Sequence, residues 1–130
     1  MNEREFIGEV VKLCDSLIPP VRWLHLEAVR KERCPWLDGF PDLQLMGSCA
    51  LMWREVKCGG STPTAEQDEY LTWLEDTGRD ADVWTERDLY DGSVKAELLA
   101  LNGISADREP WIPDGATPEE AAHRRALYGH

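Results

Sequence analysis

Asp42, Glu55 and Lys57 are the residues of this 130-residue chain whose types and spacing could do chemistry together. Two carboxylates can hold a hard divalent cation through oxygen. An ammonium beside them can orient a water, accept its proton or stabilise an anionic transition state. The stretch that carries them, Gly39 to Lys57, reads as two short strands joined by the turn residues Gly47 and Ser48. In the first strand Asp42, Gln44 and Met46 alternate with Leu43 and Leu45. In the second, Leu51, Trp53, Glu55 and Lys57 alternate with Ala50, Met52, Arg54 and Val56. Period two puts Glu55 and Lys57 on one face, about 6.6 Å apart along the strand. On the spacing alone, an ion-pair cluster at the end of an exposed hairpin accounts for the three charges just as well. The remaining strand positions are largely apolar, however, and charges on a buried apolar strand rarely lack a task.

The flanking elements must place this hairpin. Asn2 is a candidate N-cap, and Glu3 and Glu5 suit a first helical turn. Phe6, Val10, Leu13 and Leu17, flanked by Ile7, Val11 and Cys14, form one apolar stripe at helical spacing. Pro19-Pro20 end this helix near Leu17. Val21 to Glu27 alternates as a first strand with His25 on the face of Val21 and Trp23, where a lone histidine is more often a packed residue than a ligand. The connection from Glu27 to Asp38 carries Arg30, Lys31 and Arg33. It is either a solvated loop or, lying just before the Asp42 strand, a grip on a phosphate backbone. After Cys58-Gly-Gly-Ser-Thr-Pro, Thr64-Ala-Glu-Gln67 has capping-box form and opens a helix running to Gly78, with the Gln67 amide reaching back to the Thr64 N–H. Ala81 to Thr85 is a fourth strand, reached from Lys57 by a strand–helix–strand crossover. Ser93 is expected to cap a short helix ending at Asn102-Gly103, and Thr117-Pro-Glu-Glu120 to open a last one to about Tyr128. The predicted fold is α/β: a mixed four-stranded sheet flanked by helices. Residues 1–103 form the domain, and residues 104–130 an extension that packs on it or on a partner subunit.

At this length, with 42% hydrophobic residues, one domain with a genuine core is expected. Trp23, Trp53, Trp73 and Trp84 fall on predicted elements and are expected to pack in that core. No run of eighteen apolar residues and no basic-start leader is present, so a soluble, cytoplasmic protein is expected, with no membrane partner. Cys14, Cys34, Cys49 and Cys58 are spaced by 20, 15 and 9 residues with no Cys-x-x-Cys pair, which disfavours zinc and leaves free thiols as the expectation. The net charge of −11 excludes a simple basic DNA-binding module. It is unevenly spread: residues 1 to 60 hold 8 Lys or Arg against 9 Asp or Glu, and residues 61 to 130 hold 6 against 16. With a screening length of about 8 Å, an acidic far side need not repel DNA held at the near side.

Pro41-Asp42, followed after twelve residues by Glu55-Val56-Lys57, resembles the signature of the PD-(D/E)xK nucleases. Four blocks taken in order resemble their VRR-NUC branch: the segments 39–45, 54–57, 64–74 and 81–84, within roughly residues 3 to 101. The resemblance implies a restriction-endonuclease-like core and a DNA endonuclease whose Mg²⁺ or Mn²⁺ is held by Asp42, Glu55 and the Val56 carbonyl. It gives Lys57 a part in the chemical step and places Gln67 near the scissile phosphate. Glu3, or failing that Glu9, would face the site from the first helix, and His25 would be a substrate contact. Stand-alone members of the branch look like phage enzymes that cut branched DNA such as Holliday junctions, which implies a homodimer in the cytoplasm of a bacterial host. A nuclease fold used as a catalytically inactive binding or inhibitory protein, with the acidic surface as its functional part, is the alternative.

Overall fold

The computed structural model describes residues 1–26 and 38–129. Its elements run α1 (Glu3–Ser16), β1 (Arg22–His25), β2 (Leu43–Met46), β3 (Leu51–Lys57), α2 (Ala65–Asp76), β4 (Ala81–Thr85), α3 (Glu86–Tyr90), α4 (Ser93–Leu101) and α5 (Pro118–Tyr128). The four strands make one sheet in the order β1-β2-β3-β4. The β1–β2 and β2–β3 pairs are antiparallel and β3–β4 is parallel across the α2 crossover, which is the mixed sheet predicted. Among the described residues no helix is long and apolar enough to cross a membrane.

Local signals account for most helix ends. Asn2 Oδ1 accepts from the Glu5 N–H at 2.8 Å and starts α1, and Thr117 Oγ1 accepts from the Glu120 N–H at 3.1 Å at α5. The stripe on α1 is buried as its spacing requires: Phe6, Val10 and Cys14 pack with Leu43, Leu45, Met52, Val56 and Trp84 of the sheet and Val94 and Leu98 of α4. Complete burial of a side chain such as Phe6 is worth about 2–3 kcal/mol.

The β2–β3 hairpin is anchored at both ends. At its turn the Cys49 and Ala50 N–H groups donate to the Leu101 carbonyl at 2.8 and 3.1 Å, and Ser48 N–H donates to Asn102 Oδ1 at 2.9 Å. Asn102 Nδ2 in turn donates to the Pro19 carbonyl at 2.7 Å. Gly47 admits this approach, because a Cβ there would overlap the Leu101 main chain. At the other end Gly39 adopts φ +82°, and a Cβ on it would lie 2.6 Å from the main-chain carbon of Glu66. Phe40 meets Tyr70 edge-on at 5.4 Å, so the segment leading to Asp42 is clamped onto the start of α2.

Some expectations are met and several are corrected. β1 ends at His25 and β2 starts at Leu43, one residue after Asp42. The short helix α3 was not predicted; its first turn is held by the Asp88 carboxylate, which accepts from the Thr85 N–H at 2.8 Å. Ser93 does not cap α4: Gly92 at φ +86° is the N-cap, and the Ser93 N–H is taken by Asp91 Oδ1. Trp84 is in the core and Trp53 is half-buried, but Trp23 and Trp73 are exposed. The extension docks on its own domain: Trp111 stacks on Tyr90 at 5.7 Å, Tyr128 lies 5.6 Å from the same ring, and the Arg124 guanidinium sits over both Tyr90 and Trp111. Cys14, Cys49 and Cys58 are free thiols.

Candidate active site

Register brings the chemistry together. Leu43 pairs with Arg54 across β2 and β3, so one step further Asp42 lies opposite Glu55. Asp42 Oδ2 accepts from the Val56 N–H at 3.0 Å, which fixes that carboxylate against the main chain beside Glu55. Glu55 is 1% exposed. Its Oε1 accepts from Gln67 Nε2 at 3.0 Å and lies 3.7 Å from Lys57 Nζ. Its Oε2 is buried with no hydrogen-bond partner among the described residues. Burial pushes the Glu55 carboxyl far above the usual carboxylate range. Asp42 pushes it further, Lys57 pulls it back in part, and Glu3 adds to the rise. A buried carboxyl with an orphaned oxygen beside a half-buried carboxylate is costly to ionise unless a proton or a cation compensates it.

Gln67 makes the cap expected of it and also holds Glu55, a contact its sequence position did not show. Its Oε1 accepts from the Thr64 N–H at 2.8 Å and its N–H donates to Thr64 Oγ1, completing the capping box of α2, while its Nε2 holds Glu55. The helix cap therefore sets the position of the side chain that orients Glu55.

These groups open onto a cleft of about 720 Å³ at the end of the sheet, lined by Asp42, Glu55, Lys57, Gln67, Glu3 and His25 among others. Glu3 reaches it from the first turn of α1. Glu9 does not: it pairs with Lys12 at 3.2 Å and borders a separate cleft. Arg4, which also lines the cleft, was missed, because the start of α1 read as an acidic, dipole-compensating turn. Phe40 lines it too, a position whose neighbours only the fold supplies. Arg30, Lys31 and Arg33 lie outside the described residues.

The residues fit a hard divalent cation in part. Asp42 and Glu55 supply two facing oxygen donors, one of them unsatisfied, but among the described residues no third His, Cys, Asp or Glu joins them. Main-chain oxygen and water would have to complete the shell, consistent with the place given to Val56.

No family model and no curated protein matches the sequence. Among solved structures, one described as a VRR_NUC domain protein superposes with a TM-score of 0.58. The match covers 86% of this chain and 98% of that one at 20% identity. The chain therefore has the VRR-NUC-like, restriction-endonuclease-like fold.

Proposed function

We propose that the protein is a metal-dependent DNA endonuclease. The observation that carries the reading is the Asp42–Glu55 pair, with Glu55 Oε2 buried and unsatisfied inside a cleft that also holds a lysine. The shared fold supports it. Asp42, Glu55 and the Val56 carbonyl would hold Mg²⁺ or Mn²⁺, which supplies charge neutralisation at the phosphate and a more acidic water. Lys57, 3.7 Å from Glu55, is placed to orient the attacking water and to stabilise the negative charge that develops on the phosphate. Gln67 holds Glu55 in its rotamer, and Glu3 adds negative field at the same cleft. His25 and Arg4 line the approach from the α1 side, and Arg30, Lys31 and Arg33 would contact the backbone.

Branched DNA is the substrate class we assign, cut by a homodimer. One domain of this size presents one such cleft, and paired cuts on two strands of a junction need two clefts related by a two-fold axis. Trp111, Tyr128 and Arg124 of the extension are engaged with Tyr90 of their own domain, so a dimer contact would use α1 or the outer face of α5, where Leu127 is exposed.

The deciding assay incubates purified protein with four-way, flap, single-stranded and linear duplex DNA in Mg²⁺ or Mn²⁺, with EDTA controls. Paired junction cleavage that is lost in EDTA and in Glu55→Gln is expected. Binding without cleavage in either metal would favour an inactive nuclease-fold binding protein, and a monomer by light scattering that nicks one strand would remove the dimer.

A further inference from the structure

The loop after Lys57 is closed on itself by Ser61, whose N–H and hydroxyl donate to the Cys58 carbonyl at 3.2 and 2.8 Å, but those bonds do not tie it to the neighbouring strand. The β3–β4 ladder ends at the Lys57–Thr85 pair, and Gly59 and Gly60 follow at φ +64° and +77° with open space where a side chain would be. Two left-handed glycines, two and three residues beyond Lys57, leave the backbone few steric restraints just after that side chain. The residue after Thr85 supplies that tie. Glu86 Oε1 accepts from the Gly59 N–H at 2.6 Å, so a side chain carries the ladder one step past its last main-chain pair.

The same carboxylate reaches away from the cleft. Its Oε2 accepts from the Tyr90 hydroxyl at 3.4 Å. Tyr90 is in turn held by the extension: its carbonyl accepts from the Trp111 N–H at 3.0 Å, its ring stacks on Trp111, and Arg124 of α5 lies 5.0 Å over it. A continuous set of contacts therefore runs from α5 through Tyr90 and Glu86 to Gly59.

We propose that Glu86 is a positioning residue through which the C-terminal extension, by way of Tyr90, sets the Gly59–Gly60 turn and with it the place of Lys57. The placement of Lys57 matters only if the endonuclease reading holds, and the proposal rests on that reading for its catalytic half. The tether itself is a property of the folded chain.

Full-length Glu86→Ala, Glu86→Gln and Tyr90→Phe proteins test it with two readouts: amide hydrogen exchange at Gly59 by NMR, and steady-state DNA cleavage. Glu86→Ala should exchange Gly59 about tenfold faster or more and lower kcat about tenfold, with KM within about twofold of wild type. Glu86→Gln keeps an acceptor oxygen and should restore most of both. Tyr90→Phe, which keeps the ring stack and loses the hydroxyl, should fall between. Unchanged exchange at Gly59 in Glu86→Ala would remove the tether. Faster exchange with unchanged kcat, or a loss of kcat that Glu86→Gln does not rescue, would overturn the positioning role. A wild-type protein that cleaves nothing would refute the endonuclease reading and the catalytic half with it, while the exchange data would still decide the tether.

Discussion

Arg54 and Glu55 are neighbours on β3, both charged, both almost wholly buried, and they point to opposite faces of the sheet. Arg54 is saturated. It bonds Asp80 at 2.9 Å, Glu97 at 2.7 Å and the Trp53 carbonyl at 2.9 Å, and its guanidinium lies over the Trp84 ring. Burial alone would lower its pKa, but the bonds to Glu97 and Asp80 more than reverse this. Glu55 has one oxygen satisfied, one orphaned, and a second carboxylate opposite. A buried charge whose every valence is met holds a fold together, whereas a buried carboxyl with an unmet oxygen beside a second carboxylate stays neutral unless a cation joins it, and the proposed site rests on that difference.

Removing either carboxyl of the pair should have the largest effect. Asp42→Asn or Glu55→Gln should cut DNA cleavage by about three orders of magnitude while the fold survives. Mg²⁺ or Mn²⁺ should raise the melting temperature of the wild type but not of Glu55→Gln. Full activity in either variant would end the parallel drawn with a metal site.

The contrast should also appear in stability against pH without metal. The folded Glu55 carboxyl holds its proton above the pH at which the unfolded one loses it. The stability tied to that proton is complete below about 4.5 and is lost as pH rises toward about 9. Between pH 5 and 8 the wild type should lose on the order of 3 kcal/mol relative to Glu55→Gln, measured by denaturant unfolding at each pH. Parallel curves for the two proteins would show that Glu55 ionises normally.

Lys57→Ala should lower turnover by about a hundredfold and leave DNA affinity nearly intact, by single-turnover kinetics and gel shift. A parallel fall in both would make Lys57 a phosphate clamp. On the other face, Arg54→Met should cost about 2–3 kcal/mol in urea unfolding, because Glu97 and Asp80 are partly exposed and can recover water. The folded fraction should keep its activity; a specific loss of turnover would mean that the two faces are coupled. The smallest effect expected is that of alanine at Arg30, Lys31 and Arg33 together, which should weaken binding and flatten its salt dependence. An unchanged salt slope would assign that segment to solvated surface.

What the sequence determined by itself is local. The α1 stripe, the Thr64–Gln67 box, the hairpin alternation and the Pro118 helix start are set by contacts within a few residues, and all appear where their patterns put them. Asp42, Glu55 and Lys57 were legible because strand period and hairpin register bring them together with little help from elsewhere. Tertiary structure decided the rest. Whether Glu3 or Glu9 turns to the cleft depends on the rotation of α1 over the sheet, and both suit an exposed helical position in sequence. The buried ion pairs of Arg54 had no sequence signal, because its partners are 26 and 43 positions away. Trp23 and Trp73 carry the same side chain as Trp84, yet only the sheet order and the coverage by helices make one of the three core. Whether the extension packs on its own domain or on a partner was left open by its thin apolar face; it docks through Tyr90, on a helix with no periodic signal because it is a single turn and a half. Helix caps and strand alternation cost nothing in chain closure, whereas these contacts join residues far apart in sequence, and only the assembled sheet and helices hold such residues close enough to meet.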